Sequence, residues 1–302
     1  MKQSSKGLSS SASETFYGIV FILPSFLGFA VFVLFPVLFS FYLSFNKWTF
    51  LEGFGAIKFN GLKNFVDIFK DVWFVDSLKN TLIFAITTVP IGVALALVCA
   101  VIIHRYTRFK SAITVSVFIP YIASIVASAV IWRVVLHPSY GPVNQFLMSL
   151  GIEEPPKWFA DIHWALPTVI IFSIWQQLGY MIVVYLAGIK GVPSELYESA
   201  SIDGANEINK FFNITIPMVS PTTFFLVIMG IINSFKAFDQ ISILTQGGPG
   251  TATSVIAYYI YRTAFEFYNM GFASSAAWIM FVMIFIVTLI QWRYQKRWVN
   301  YD

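Results

Sequence analysis

Few side chains in this 302-residue chain are spaced to make or break bonds. The three histidines, His104, His137 and His163, lie near the ends of apolar runs and lack the spacing of a metal site, so they read as interfacial polar residues. Cys99 is the only cysteine, which excludes an intrachain disulfide and a thiolate metal site. There is no Gly-x-x-x-x-Gly-Lys-Ser/Thr loop to cradle phosphates, and no Ser-His-Asp or Cys-His set. Ionisable side chains are nearly absent from the apolar runs, where an ion-coupled carrier usually keeps them. The chain reads as non-catalytic, with no cofactor and no metal of its own.

The dense polar stretch is an island between two apolar runs, from Pro193 to Pro221. Pro193 and Ser194 are favoured at a helix start, and Glu195 and Glu198 suit the positive end of a helix dipole. Leu196, Tyr197 and Ala200 share one helical face, which Ala205 and Ile208 extend past Gly204. Gly204 lets the backbone turn, and Pro217 can open the next helix. The pattern predicts a short helix, a turn and a second short helix, with an apolar surface to cover.

The elements around this island are membrane spans. Only 11% of residues are charged, against about 25% in soluble domains, and 57% are hydrophobic. With a mean hydropathy of +0.73, this is the composition of an integral membrane protein. The net charge of +4 argues against nucleic-acid binding and against a polybasic lipid-binding arm. Six runs are long enough to cross a bilayer, which takes about 20 helical residues: about 16–45, 80–104, 111–133, 164–189, 217–238 and 270–292. The expected fold is therefore all-α, with a Ser-rich disordered segment at 1–14, a transmembrane domain at 15–302 and a polar loop at 190–216.

Pro24 and Pro36 are expected to kink the first span. In the mixed stretch 47–79, Phe65, Ile68 and Phe69 suggest a short amphipathic helix at the interface. Residues 240–261 are uncharged, but Gln246-Gly247-Gly248-Pro249-Gly250 speaks against a seventh span, and Ser254–Phe267 reads as an external amphipathic helix. Trp48, Trp73, Trp292 and Trp298 are expected in the aromatic belts. Arg105, Arg108 and Lys110 after the second run, and Arg293, Lys296 and Arg297 in the tail, mark the cytoplasmic side. Six spans then put both termini and the polar loop in the cytoplasm.

On these residues the chain resembles the ABC importer permeases. Glu198, Ala200, Asp203, Gly204, Ala205, Ile214 and Pro217 match their EAA signature, with Ser199 and Ile216 standing where the family has Ala and Leu. Gly61-Leu62-Lys63-Asn64-Phe65 followed by Leu78-Lys79-Asn80-Thr81 is similar to the segment before the second helix of carbohydrate-type permeases. The stretch Asn233–Gln240, then Thr245-Gln246-Gly247-Gly248-Pro249, Tyr261, Ala264-Phe265 and Gly271–Ala277, resembles the maltose-type permeases. The resemblance implies a MetI-like fold and a cytoplasmic coupling helix, Ser194–Gly204, that docks on a separate ATPase subunit through Glu198, Ala200, Asp203, Gly204 and Ala205. It also implies the partners: a second homologous permease, two ATPase subunits that hold ATP and Mg, and an extracellular solute-binding protein. The setting it implies is a bacterial or archaeal cell membrane.

By the same similarity a saccharide pathway lies on the fourth and fifth spans. Alignment on the motifs picks out Gln176, Gln177 and Tyr180 on one, and Gly230, Asn233, Ser234 and Ala237 on the other. Gln176 and Tyr180, Gly230 and Ser234, and Asn233 and Ala237 are each four residues apart, on one helical face. Polar and aromatic groups of this kind match sugar hydroxyls and ring faces. The same residues serve equally as interhelical hydrogen bonders, with Gly230 permitting close packing. Ala237 departs from the polar residue of maltose permeases, which argues against maltose itself. Lys236 and Asp239, three apart, are expected to form an external ion pair. Other readings remain open: an ABC permease for another neutral solute, or a secondary carrier or facilitator.

Overall fold

The computed structural model describes residues 7–106, 108–295 and 299. The first apolar run is one helical rod, α1 (Gly7–Phe29) and α2 (Phe35–Ser44), joined by a π-turn at Ala30–Leu34. Pro36 follows that turn. A proline ring clashes with the carbonyl four residues back, and the wider turn gives it room. α1 begins at Gly7, inside the segment 1–14 expected from its composition to be disordered. Residues 1–6 lie outside the described residues.

A two-stranded hairpin follows, β1 (Asn46–Lys47) against β2 (Lys58–Phe59), so the expected all-α fold gains one small antiparallel ladder. Trp48 anchors its loop: the indole stacks on Phe54, Nε1 donates to the Gly53 carbonyl at 2.9 Å, and the ring is buried instead of interfacial. Asn64, on the short helix α3 (Lys63–Asp67), donates to the carbonyls of Ser44 and Asn46 and accepts from Asn60. Ile68 beside it is fully buried against Phe74, Tyr259 and Ala276, whereas Phe69 stays exposed.

The main packing unit is α4 (Val72–Tyr106), α5 (Lys110–Ile122), α8 (Ala165–Lys190) and α12 (Ser220–Phe235). Its core sets Val89, Val93, Ala96 and Ala100 of α4 against Met181, Ile182, Tyr185 and Ile189 of α8, with Leu226 of α12. Lipid gives helices no hydrophobic drive to associate, so small residues that admit close contact carry the packing. Gly179 is the extreme case, since a Cβ there would overlap the Val117 carbonyl oxygen of α5.

Two expected spans are broken. The run at 111–133 splits into α5 and α6 (Ile125–Val135), bent by 93° at Ala123, which is extended, and Ser124. Pro120 removes one backbone donor in the last turn of α5. Between the polar island and α12, the chain bends by 65° at Val219. Pro221 lies just past it and cannot donate back to Pro217. Among the described residues four unbroken helices are long and apolar enough to cross a membrane, or up to six if each bent pair is one span.

Of the remaining elements, α7 (Pro142–Ser149) follows α6, α13 (Asp239–Leu244) packs on α6, α14 (Ile256–Tyr261) packs on α4, and α15 (Met270–Tyr294) packs along α2 and α14. Residues 240–261 make two six-residue helices joined by turns, too short to cross. The Thr251–Ser254 turn is tied to the start of α4: Asn80 Nδ2 donates to both of their carbonyls, Ser77 meets Ser254 at 2.8 Å, and Thr81 Oγ1 accepts from the Ile256 amide. Nearby, the Tyr259 phenol donates to Asp71 Oδ2 at 2.6 Å. Burial, reinforced by that carboxylate, raises its pKa well above the usual tyrosine range.

Candidate functional site

The polar island folds as a helix, a turn and a second helix: α9 (Ser194–Ile202), the turn at Asp203–Asn206, and α10 (Glu207–Lys210), leading through a π-turn into α11 (Ile216–Met218). Gly204 has φ +80°, where a side chain is strained. Around it the Ala205 amide donates to Ala200 and the Gly204 amide to Ser201, the paired bonds of a Schellman cap. Asn206 starts the next helix by accepting from the Asn209 amide at 2.8 Å. The spacing of Ala200, Asp203, Gly204 and Ala205 is thus the spacing of a helix stop. Pro217 continues a helical stretch, and the break falls two residues later, at Val219.

The island has two faces. Tyr197, Ala200 and Ala205 turn partly inward, while Glu198 and Asp203 are exposed. Leu196, Ile202, Ile208 and Phe212 are also exposed, Ile202 to 87%. Because Leu196 and Ile208 point out, the apolar face expected to be covered is divided.

What holds the inner face comes from α4. The Arg105 guanidinium pairs with Glu207 and lies 4.9 Å from the centre of the Tyr197 ring. The Tyr197 hydroxyl meets Thr215 Oγ1 at 3.0 Å, and Lys210 joins Glu207 from the other side at 3.0 Å. These residues, with His104 and Ile189, enclose a cavity of about 390 Å³ between the island and the end of α4. In the sequence Arg105 stands out only as a topological charge, and Glu207 and Thr215 do not stand out. The one available signal was the i, i+3 pairing of Glu207 with Lys210.

The seven pathway residues separate into two groups. Gln176, Gln177 and Tyr180 are half-buried on α8, with Tyr180 stacked on Tyr121 of α5 at 5.0 Å, and Asn233 is exposed on α12. The others are packed. Gly230 faces Val89, where a Cβ would come within 3.1 Å, and Ser234 donates to the Gly230 carbonyl. Ala237 lies in a second core with Phe172, Ile241 and Tyr258, beyond the end of α12, so it does not share a helical face with Asn233. None of the four described cavities of about 340 to 510 Å³ is lined by any of the seven.

Lys236 and Asp239 form no ion pair among the described residues, because α12 ends between them and helical spacing no longer applies. Trp73 is not a free belt residue, since Arg262 lies over its ring at 3.9 Å. Trp292 is exposed. Lys296, Arg297 and Trp298 lie outside the described residues. Among the described residues there is no group of His, Cys, Asp or Glu able to hold a metal.

Comparison with known proteins gives a consistent set of likenesses. The family described as "Binding-protein-dependent transport system inner membrane component" matches residues 72–300. The chain is 35% identical over 289 residues to the Probable ABC transporter permease protein YesP of Bacillus subtilis, covering 94% of this chain and 92% of that one. It is 31% identical over 280 residues to the lactose transport system permease protein LacF of Rhizobium radiobacter, covering 91% and 92%. Among solved structures, a subunit of a bacterial ABC transporter involved in the import of the acidic polysaccharide alginate superposes with a TM-score of 0.85. That match has 25% identity over 97% of this chain and 99% of the other.

Proposed function

Because the chain belongs to the family of binding-protein-dependent transport system inner membrane components, the non-catalytic permease subunits of ABC importers, we propose that it forms half of the pathway by which a saccharide enters the cell. In this reading the two bent helix pairs each count as one span, giving six. Both termini and the island then lie in the cytoplasm of a bacterial or archaeal cell. A second homologous permease supplies the other half of the pathway, two ATPase subunits bind ATP and Mg, and a solute-binding protein delivers the cargo outside.

The observation that carries the coupling role is the Schellman-capped α9. It presents exposed Glu198 and Asp203 beside bare Leu196 and Ile202, at the outer face of an island anchored to α4. Apolar surface rimmed by charge suits docking into a protein cleft. When ATP closes the ATPase dimer, α9 moves with its cleft and the spans rock as rigid bodies, exposing the pathway to alternate sides. The lactose and alginate relatives support the saccharide class. Gln176, Gln177, Tyr180 and Asn233 are the accessible pathway candidates, and Gly230, Ser234 and Ala237 act by packing. The test is the Glu198→Ala variant in the intact transporter. Membrane insertion should persist while ATPase association or stimulated hydrolysis is lost; normal ATP-driven uptake would sink the coupling role.

A second reading of the cargo, an acidic saccharide, is favoured by one cavity of about 340 Å³. Arg133, His137 and Lys157 line it beside Gly248 and Pro249, with no acid among its lining residues. Arg133→Gln should then slow uptake of a uronate oligosaccharide and spare a neutral one.

A further inference from the structure

A different cavity carries a further site. We propose that the space of about 510 Å³ between the ends of α4 and α8 and the start of α5 binds the phosphate headgroup of an anionic phospholipid. His104, Lys110 and Lys190 line it, together with the hydroxyl residues Ser111 and Thr114, and no acid does.

The charge there is unbalanced. Arg105, one residue from His104, is answered by Glu207 on the side of the polar island. Lys110 and Lys190 are exposed and have no ion-pair partner among the described residues. Like charges gathered at one cavity repel, and an anion entering it relieves them.

The remaining wall is apolar, formed by side chains such as Leu186 of α8. A soluble anion gains nothing from such a wall, whereas a phospholipid meets both halves, with phosphate at the lysines and acyl chain along the helices. Basic pockets between membrane helices take anionic lipid headgroups in this way. The site rests on reading α4, α5 and α8 as membrane helices, and it needs neither the coupling role nor the saccharide.

The experiment measures lipid binding, so its failure leaves the transport reading untouched. The purified transporter, containing this chain and its co-purifying subunits, is titrated with phosphatidylglycerol or phosphatidylcholine and bound lipid is counted by native mass spectrometry. Lys110→Gln/Lys190→Gln is compared with wild type and with Lys58→Gln/Lys63→Gln, which removes the same charge from the hairpin region. The wild type should prefer phosphatidylglycerol. At roughly a fivefold contribution per basic residue near the lipid surface, the first double variant should bind phosphatidylglycerol on the order of tenfold or more weakly. The control should match wild type, and phosphatidylcholine binding should not change. Equal binding of the two lipids by wild type, or equal losses in both double variants, would overturn the site. In parallel, thermal unfolding of wild type is followed with inorganic phosphate at matched ionic strength. A midpoint shift as large as that given by phosphatidylglycerol would mean a soluble-anion site and also overturn the proposal.

Discussion

Arg105→Gln is the perturbation that most directly tests how the island is held. The change removes a cation from Glu207 and from the face of Tyr197 while keeping a side chain of similar length. The Glu207 side chain is 52% exposed, so the ion pair is discounted to the value of a surface pair, about 0 to 1 kcal/mol. The Arg105 side chain is only 19% exposed, and its stacking on Tyr197 adds about 0.5 to 2 kcal/mol. Glu207 keeps Lys210 at 3.0 Å, so no carboxylate is orphaned and no desolvation penalty is added. The loss is therefore about 0.5 to 3 kcal/mol, roughly a 2- to 140-fold rise in the population of the released island, since about 1.4 kcal/mol is tenfold.

Hydrogen exchange on the intact transporter reads this directly. The amides of Gly204 and Ala205, which close the Schellman cap, should exchange faster by that factor, while amides in the middle of α8 keep their rates. Tyr197→Phe keeps the ring under Arg105 and loses only the bond to Thr215, about 1 kcal/mol, so its effect should be smaller. Cap exchange within twofold of wild type in both Arg105→Gln and Tyr197→Ala would show that the island is held by other contacts, and the reasoning would fail.

Further outcomes follow from other positions. Gly204→Leu should cost about 1 to 2 kcal/mol through its positive φ alone, since open space surrounds it; Gly204→Asn should recover much of that, and equal behaviour of the two in uptake assays would contradict the cap. Gly179→Leu should separate α5 from α8 and sharply reduce recovery of folded transporter, whereas Gly18→Leu, in open space, should not. Tyr259→Phe should lower stability by about 1.5 to 3 kcal/mol for a bond to a carboxylate. Because folding raises the phenol pKa, its contribution is full below about pH 10 and declines as pH rises past the unfolded value, so the wild type should lose its advantage over Tyr259→Phe in alkali. Tyr180→Ala or Asn233→Ala should slow saccharide uptake with the complex still assembled, and unchanged uptake would leave these residues to packing.

The long apolar runs were legible because an uncharged stretch of 20 or more residues has few alternatives. The island was legible because Pro193, Ser194 and Gly204 are punctuation with a local cause: each acts on its own backbone. The breaks at Ala123 and Val219 were not. They sit inside uncharged stretches where composition does not change, and prolines at 120, 217 and 221 mark a weakened ladder without saying where it opens. Asn64 and Asn80 show a different limit. Both belong to recognisable motifs, yet what they do depends on partners distant in sequence, the Ser44 and Asn46 carbonyls for one and the Thr251 and Ser254 carbonyls for the other. Spacing can flag such a residue and cannot supply its partner.

The same distinction decides how the pathway residues divide. A glycine, a serine and an alanine on or just past one helix satisfy a motif whether they face a cavity or a neighbour. Gly230 meets Val89, and Ser234 returns its hydroxyl to the Gly230 carbonyl, so the two form a small smooth contact that lets α12 lie against α4. Tyr180 is built differently. It is half-buried, it stacks on Tyr121 of a second helix, and its hydroxyl has no partner in the described contacts. Two aromatic rings with an unspent hydroxyl can meet both the apolar face and the hydroxyls of a sugar ring. If Tyr180 belongs to the pathway, Tyr180→Phe should keep the stack and lose only the hydrogen bond, slowing uptake less than Tyr180→Ala. If the pair is only packing, Tyr180→Phe should be silent in uptake, and Tyr180→Ala should act by lowering the amount of assembled transporter. Uptake per assembled complex, measured for the two variants side by side, separates these outcomes.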